Sequence, residues 1–304
     1  MKLTPEEARF DEAQEDLFQD LNLSVESRFL YPDDPGRRIH VLETGEGDPV
    51  VMIHGGNSVA AGWAPLLIEL DGRFHVYAAD RPGCGLTHPQ DYRKLNLREH
   101  AIQFLDDVLD GLELDHATLV GNSMGGYWSL LYAINRPERV ERVILIGEPA
   151  GSTKRLGLKI RAIGTPVINR LLLATLGRAR PNPDFLHGLV VDTGKLTPKL
   201  MNCFYAGALI PGAGHAWRTM LELIAAPGKR ADLTYALIPL LPTIKCPVLF
   251  CWGDHDMTPP TAGIELTRHL NQARFEGIQD AGLITWIDKP KEVARLFKDF
   301  MSSP

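Results

Sequence analysis

Apolar positions recur in two registers along the chain, and the register switches back and forth. Residues 4–21 place Phe10, Ala13, Leu17 and Leu21 at helical spacing. Thr4, Pro5 and Glu7 stand ahead of that stripe as a cap, a first-turn proline and a capping-box acid, so a helix is expected over 4–21. Its apolar face suits packing on its own domain, or service as a lid or partner-binding helix. Short strand-like runs follow. "SRFLYP" and "RRIHVLETG" predict an antiparallel pair, and "PVVMIHG" reads as a strand buried on both faces. Thereafter helix and strand patterns alternate: "AAGWAPLLIEL", "FHVYAAD", "LREHAIQFLDDVLDGL", "HATLVGN", "MGGYWSLLYAINRP" and "VERVILIGE". That alternation predicts an α/β fold, a mostly parallel sheet with helices on both faces.

The alternation breaks after about Ala150. Residues 152–240 carry leucine-rich helical patterns punctuated by Gly and Pro, among them "KRLGLKIRAIGTPVINRLLLATLG" and "TPKLMNCFYAGALI". A helical insertion is expected there. Strand and helix patterns resume in "CPVLFCWGD", "TAGIELTRHL", "ARFEGIQ" and "KEVARLFKDF".

Composition narrows the field. The 304 residues, 44% hydrophobic and 23% charged, suit one large soluble domain with an inserted subdomain. A net charge of −6 and the lack of a basic, aromatic-rich cluster argue against a nucleic-acid surface. The apolar runs are too short for a membrane span. The N-terminal stretch is acidic, unlike a secretory signal, so a cytoplasmic location is expected. Four cysteines without metal-ligand spacing read as four buried small side chains. No metal or other cofactor is called for.

Three motifs carry chemistry. The first is Gly121-Asn122-Ser123-Met124-Gly125, a G-x-S-x-G between an apolar strand and a helix. Such a turn is tight, needs glycine on either side of the serine, and thrusts the Ser123 hydroxyl up at a helix N-terminus. The Met124 N–H then points where negative charge develops. The second is His54-Gly55-Gly56 after a buried strand, where the Gly56 N–H is the second candidate oxyanion donor. His54 reads mainly as a loop-fixing residue. The third is "FCWGDHDMTPP": Asp256, three positions beyond Gly253, is the better candidate to orient a histidine. Asp254 and His255 read as loop-capping or surface residues.

With "DRPGCG" at 80–85 and the terminal "DAG…W…KP.EV", these motifs make the chain resemble the α/β-hydrolase superfamily over nearly its whole length. The esterase, lactonase and carbon–carbon hydrolase branch is the nearest likeness. The resemblance implies an eight-stranded core in two parts, 1–151 and 241–304, with a helical cap over 152–240. It implies the order nucleophile, acid, histidine, with Ser123 and Asp256 in the first two places and Gly56 and Met124 as oxyanion donors.

The third place departs from the family. The text matching G-H-x-P-x-x-x-x-x-P is "GLITWIDKP": Leu283 stands for the histidine and Thr285 for the proline, and no histidine follows His269. A serine hydroxyl is a poor nucleophile unless a neighbour takes its proton. In an unrelated serine hydrolase fold, losing the histidine costs about 10⁶-fold in kcat. Ordinary Ser-His-Asp turnover is therefore expected to be severely impaired. Four readings stand. They are natural divergence, a redesigned hydrolase, a substitute base, and another chemistry that keeps the oxyanion donors. His54 and His255 are the candidate substitute bases, with His88 and His215 behind them. The expected partner is a small apolar ester or related carbonyl compound, bound by a monomer or homodimer. The rival class is a non-catalytic protein that binds such a ligand.

Overall fold

The computed structural model describes residues 2–33, 36–154, 156, 158–169, 189–225 and 233–303. Eight strands form one sheet: β1 (Glu26–Leu30), β2 (Ile39–Thr44), β3 (Pro49–Ile53), β4 (His75–Ala79), β5 (Ala117–Ser123), β6 (Val140–Pro149), β7 (Val248–Gly253) and β8 (Ala273–Ile278). Their spatial order is β1-β2-β4-β3-β5-β6-β7-β8. β2 runs antiparallel to both β1 and β4, and every other pairing is parallel. The expected mostly parallel α/β sheet is present.

Strand residues alternate between two apolar layers, as a period of two requires. Val51 and Ile53 of β3 join a layer with Phe104 of α3 (Leu97–Gly111) and Trp128 of α4 (Met124–Asn135). Val50 and Met52 face the other way, toward Leu66 of α2 (Ala64–Leu70) and Phe297 of α11 (Pro290–Met301). A strand buried on both faces has no polar side to show, which is why "VVMI" is unbroken.

The first helix, α1 (Pro5–Asp20), starts as its sequence directs. Thr4 accepts from the Glu7 N–H at 3.2 Å, and the Glu7 carboxylate accepts from the Thr4 N–H at 2.8 Å. Between β6 and β7 lie four described helices: α5 (Leu158–Ile163), α6 (Pro198–Leu209), α7 (Ala213–Ala225) and the short α8 (Thr234–Leu237). Parts of the expected leucine-rich pattern, at 155, 157, 170–188 and 226–232, lie outside the described residues. α1 packs on α6: Phe10 and Leu17 are buried, and Lys199 pairs with Asp16 at 2.7 Å. Its apolar stripe is thus covered by the chain's own inserted helices.

The chain reaches β8 and then turns through a short helix, α10 (Thr285–Asp288), before α11, with α9 (Pro260–Thr267) between β7 and β8. All four cysteines are free. Cys203 and Cys251 are buried as expected, but Cys84 and Cys246 are only half-buried. Among the described residues no helix is long and apolar enough to cross a membrane.

Candidate active site

From β3 the chain crosses to β4 on one side, then returns to lay β5 on the other. Loops leaving β3 and β5 therefore part at this point and leave a crevice at the carboxyl ends of the strands. Ser123 is the last residue of β5, and α4 begins at the next residue. Its backbone sits at φ 47°, ψ −111°, a left-handed conformation unusual for a residue with a side chain. Holding it there costs on the order of 1–3 kcal/mol, which the surrounding packing must offset. The flanking glycines make that packing possible. A Cβ on Gly125 would lie 2.0 Å from the Ile53 carbonyl oxygen, and one on Gly121 would lie 2.5 Å from the Gly126 nitrogen.

The glycine loop after β3 runs alongside. A Cβ on Gly55 would stand 3.2 Å from the Ser123 Cβ. The loop is held from beneath by Arg81, whose guanidinium donates to the carbonyls of His54 (3.0 Å) and Gly55 (2.8 Å) and lies 5.1 Å over the Trp128 ring. His54 has both ring nitrogens engaged: Nδ1 donates to the Gly55 carbonyl at 2.8 Å, and Nε2 accepts from the Arg81 N–H at 3.0 Å. Burial, with the nearby Arg81 charge, pushes its pKa down to about 3. His54 fixes the loop. It has no free lone pair for a proton from Ser123, which removes it from the candidate bases. From the inserted helices, Trp217 of α7 closes over Gly56: a Cβ there would meet the indole at 2.4 Å.

Asp256 follows β7 and is 9% exposed. One carboxyl oxygen accepts from the Glu148 N–H at 2.9 Å and the other from the Thr258 N–H at 3.2 Å. Burial pushes its pKa up to about 7. The donated backbone N–H groups work against that rise, while the Glu148 charge adds to it. Glu148, at the end of β6, is as deeply buried, and burial raises its pKa too. It accepts from the Ser152 N–H at 3.0 Å and from the Thr258 hydroxyl. Thr258 therefore bridges two neighbouring carboxyl groups, with its N–H on one and its hydroxyl on the other.

The loop carrying Leu283 docks on the elbow. Its carbonyl accepts from Asn122 Nδ2 at 3.0 Å, and a Cβ on Gly147 would lie 2.1 Å from that oxygen. Leu283 is 7% exposed yet belongs to neither core layer among the described residues. The loop is firmly built around it. Asp288 accepts from the N–H groups of Gly282, Val191 and Asp192 at 2.9–3.0 Å. Thr285 donates to the Gly282 carbonyl, and Trp286 stacks on Trp63 with centroids 4.0 Å apart.

The remaining candidates fall elsewhere. The His255 side chain is 60% exposed, 3.9 Å from Asp254, and Asp254 caps the Ala281 N–H at 3.2 Å. His215 is exposed on α7 and bonds Asp91 and Arg218; His88 donates to the Arg38 carbonyl. Sequence reasoning overlooked three site residues. For Glu148 a signal existed, since an acid directly after the apolar run "VILIG" is out of place unless it is used. Arg81 was visible only as part of "DRPGCG", and nothing in the sequence marked Trp217.

An eight-stranded, mostly parallel sheet with a serine on a strained strand-to-helix turn defines the hydrolase class of α/β proteins. The alpha/beta hydrolase family profile matches residues 50–296, and the chain belongs to that family. Among its relatives is the 2-hydroxy-6-oxononadienedioate/2-hydroxy-6-oxononatrienedioate hydrolase of Escherichia coli O139:H28. It is 28% identical over 300 residues, covering 94% of this chain and 99% of the relative. The same-named Klebsiella pneumoniae enzyme is 28% identical over 281 residues, covering 87% and 92%. Two Bacillus subtilis structures share the fold. Carboxylesterase CesB has a TM-score of 0.77 and 20% identity over 98% of this chain and 99% of that one. Naproxen esterase has 0.76 and 20% over 99% and 100%.

Proposed function

We propose that this chain is a serine-hydrolase scaffold that binds a small apolar ester or related carbonyl compound, with turnover severely reduced because Leu283 occupies the place of the proton-shuttling histidine. One observation carries the reading: Ser123 sits on a strained elbow with the glycine loop against its side chain. In this reading Ser123 Oγ attacks the carbonyl carbon, and the N–H groups of Gly56 and Met124 receive the developing oxyanion. The described helices between β6 and β7 act as a cap, and Trp217 closes the site above Gly56.

The relatives' names specify dioates, compounds with two carboxylates. Two considerations favour an apolar compound here. Arg81 is already engaged by the His54 and Gly55 carbonyls, and Glu148 with Asp256 places acidic groups beside the site. A dianion would find the Arg81 charge already engaged and no compensating cation in this acid pair, while Trp217 offers it only apolar surface. Burial raises the Asp256 pKa to about 7, so this acid is partly protonated at neutral pH, and slow residual turnover is expected from the oxyanion donors and binding alone.

Hydrolysis of short p-nitrophenyl esters tests the reading. The unaltered chain is expected to turn over slowly and Ser123→Ala to lose that turnover. Leu283→His is expected to gain on the order of 10²–10⁴-fold, the usual worth of a placed general base. An inert Leu283→His variant that folds normally would favour the rival reading, a ligand-binding protein without turnover. Fast Ser123-dependent hydrolysis by the unaltered chain would overturn the role given to Leu283.

A further inference from the structure

A second serine stands at the end of a Ser–His–Asp hydrogen-bonded chain, at the sheet edge remote from Ser123. Ser27 Oγ lies 2.9 Å from His40 Nε2, and His40 Nδ1 lies 2.7 Å from Asp80 Oδ2. Sheet register builds this arrangement. In the antiparallel β1–β2 pair, Phe29 lies opposite His40 and Ser27 opposite Leu42, so Ser27 is the diagonal neighbour of His40 on the same face. Asp80 follows β4, and its N–H donates to the His40 carbonyl at 3.0 Å, which brings the carboxylate level with the imidazole. Four strand spacings separate β1 from β5, roughly 20 Å.

The chain has the polarity of a proton relay. Asp80 is fully buried and accepts from the Ala60 and Leu86 N–H groups at 2.7 and 3.1 Å as well as from His40. Burial works against its ionisation, but the hydrogen bonds from His40 and from the Ala60 N–H help to outweigh it, so its pKa is lowered. An ionised Asp80 only accepts, which places the proton of a neutral His40 on Nδ1. The Nε2 lone pair then faces the Ser27 hydroxyl. His40 is buried and fixed, its own N–H donating to Thr87 Oγ1 at 2.9 Å. Ser27 is exposed on an edge strand. A hydroxyl with a locked base behind it and open solvent in front is an activated nucleophile rather than an ordinary surface serine.

We propose that Ser27 is a second nucleophilic site, independent of Ser123, that takes an acyl or phosphonyl group from small activated donors such as aryl esters and phosphonofluoridates. The donor class follows from exposure: on an open strand the leaving group must depart without help. With a fluorophosphonate, the Ser27 Oγ–P bond forms and the P–F bond breaks. Fluoride departs, and the hydroxyl proton passes to His40 Nε2. With an aryl ester the phenolate departs in the same way.

The test is fluorophosphonate labelling of the full-length Ser123→Ala chain, followed by peptide mass mapping. Ser302 and Ser303 serve as internal references, being exposed serines whose hydroxyls donate to the Lys298 and Asp299 carbonyls. Ser27 is expected to label on the order of 10²-fold faster than either, in line with the worth of a placed base. His40→Asn is expected to abolish that advantage, and Ser27→Ala to remove the adduct. Labelling of Ser27 no faster than Ser302 and Ser303 would overturn the proposal, whether or not His40→Asn folds. The Ser123→Ala background keeps this result separate from the fate of the hydrolase reading.

Discussion

At the scale of single residues, the candidate site depends on close approaches that only particular side chains permit. Gly125 is the sharpest case. A methyl there would meet the Ile53 backbone oxygen at 2.0 Å, and backbone cannot swing aside as a side-chain tip can. Gly125→Ala is therefore expected to cost about 1–3 kcal/mol or more and to displace Ser123 from its strained conformation. Denaturant midpoints would report the first effect, and loss of fluorophosphonate labelling at Ser123 in a Leu283→His background the second. Gly277→Ala is the control, because its nearest outside atom lies 3.8 Å away. Should Gly125→Ala prove as harmless as Gly277→Ala, the elbow packing described above would be wrong. Leu283 teaches a complementary lesson. Its loop is pinned by Asn122, Asp288 and the Trp63–Trp286 stack, so a substitution at that position would meet an ordered frame.

At the scale of elements, the inserted helices reach into the site through α7. Trp217 presses on Gly56, Ala216 stands against Gly83, and Thr219 accepts from the Tyr92 N–H at 3.1 Å. One helix thus touches the glycine loop after β3 and the loop after β4 together. Trp217→Ala would open space above Gly56. In a Leu283→His background, where faster turnover is expected, the preference for longer over shorter acyl chains is expected to rise about tenfold, the usual worth of a methylene or two in a pocket. Relative kcat/KM for acetyl and hexanoyl p-nitrophenyl esters would show it. An unchanged ratio would mean that Trp217 does not bound the acyl site. The packing of α1 on α6 adds a brace from the N-terminus, with Phe10 and Leu17 buried beneath it.

For the whole molecule, buried titratable groups set how stability follows pH. His54 and His100 are held neutral, with pKa values pushed by burial down to about 3 and about 4. The unfolded chain binds more protons than the fold from about pH 6.5 down through those values, so these groups cost stability as pH falls. Asp256 acts oppositely. Its folded pKa of about 7 lies above the ordinary 3.8, so the folded chain holds the extra proton. Its contribution is fully present below about pH 4 and lost as pH rises through 7. Asp256→Asn removes that loss. The stability difference between Asp256→Asn and the unaltered chain is expected to move in favour of asparagine by roughly 1–4 kcal/mol from pH 5 to pH 8. Chemical denaturation at both pH values measures it, and a pH-independent difference would refute the burden assigned to Asp256.

By itself the sequence determined the elements and most of the sheet. Period-two and helical patterns are local consequences of which face each segment buries, and "GNSMGG", "HGG" and "WGDHD" mark turns whose backbone demands few residue types. It also singled out Leu283, the position where the family resemblance implies a histidine, because that comparison needs residue identity alone. The short helix Thr285–Asp288 escaped notice, being held by contacts to Gly62, Trp63 and Gly282 rather than by its own pattern. Tertiary structure alone decided which polar groups meet. It gave His54 the partners of the loop-fixing role its sequence favoured and placed Glu148 against Asp256. It drew Trp217 over Gly56 and joined Ser27, His40 and Asp80 into one chain. Those pairings span 13 to 161 residues along the chain, and strand order and register, not local spacing, fix them.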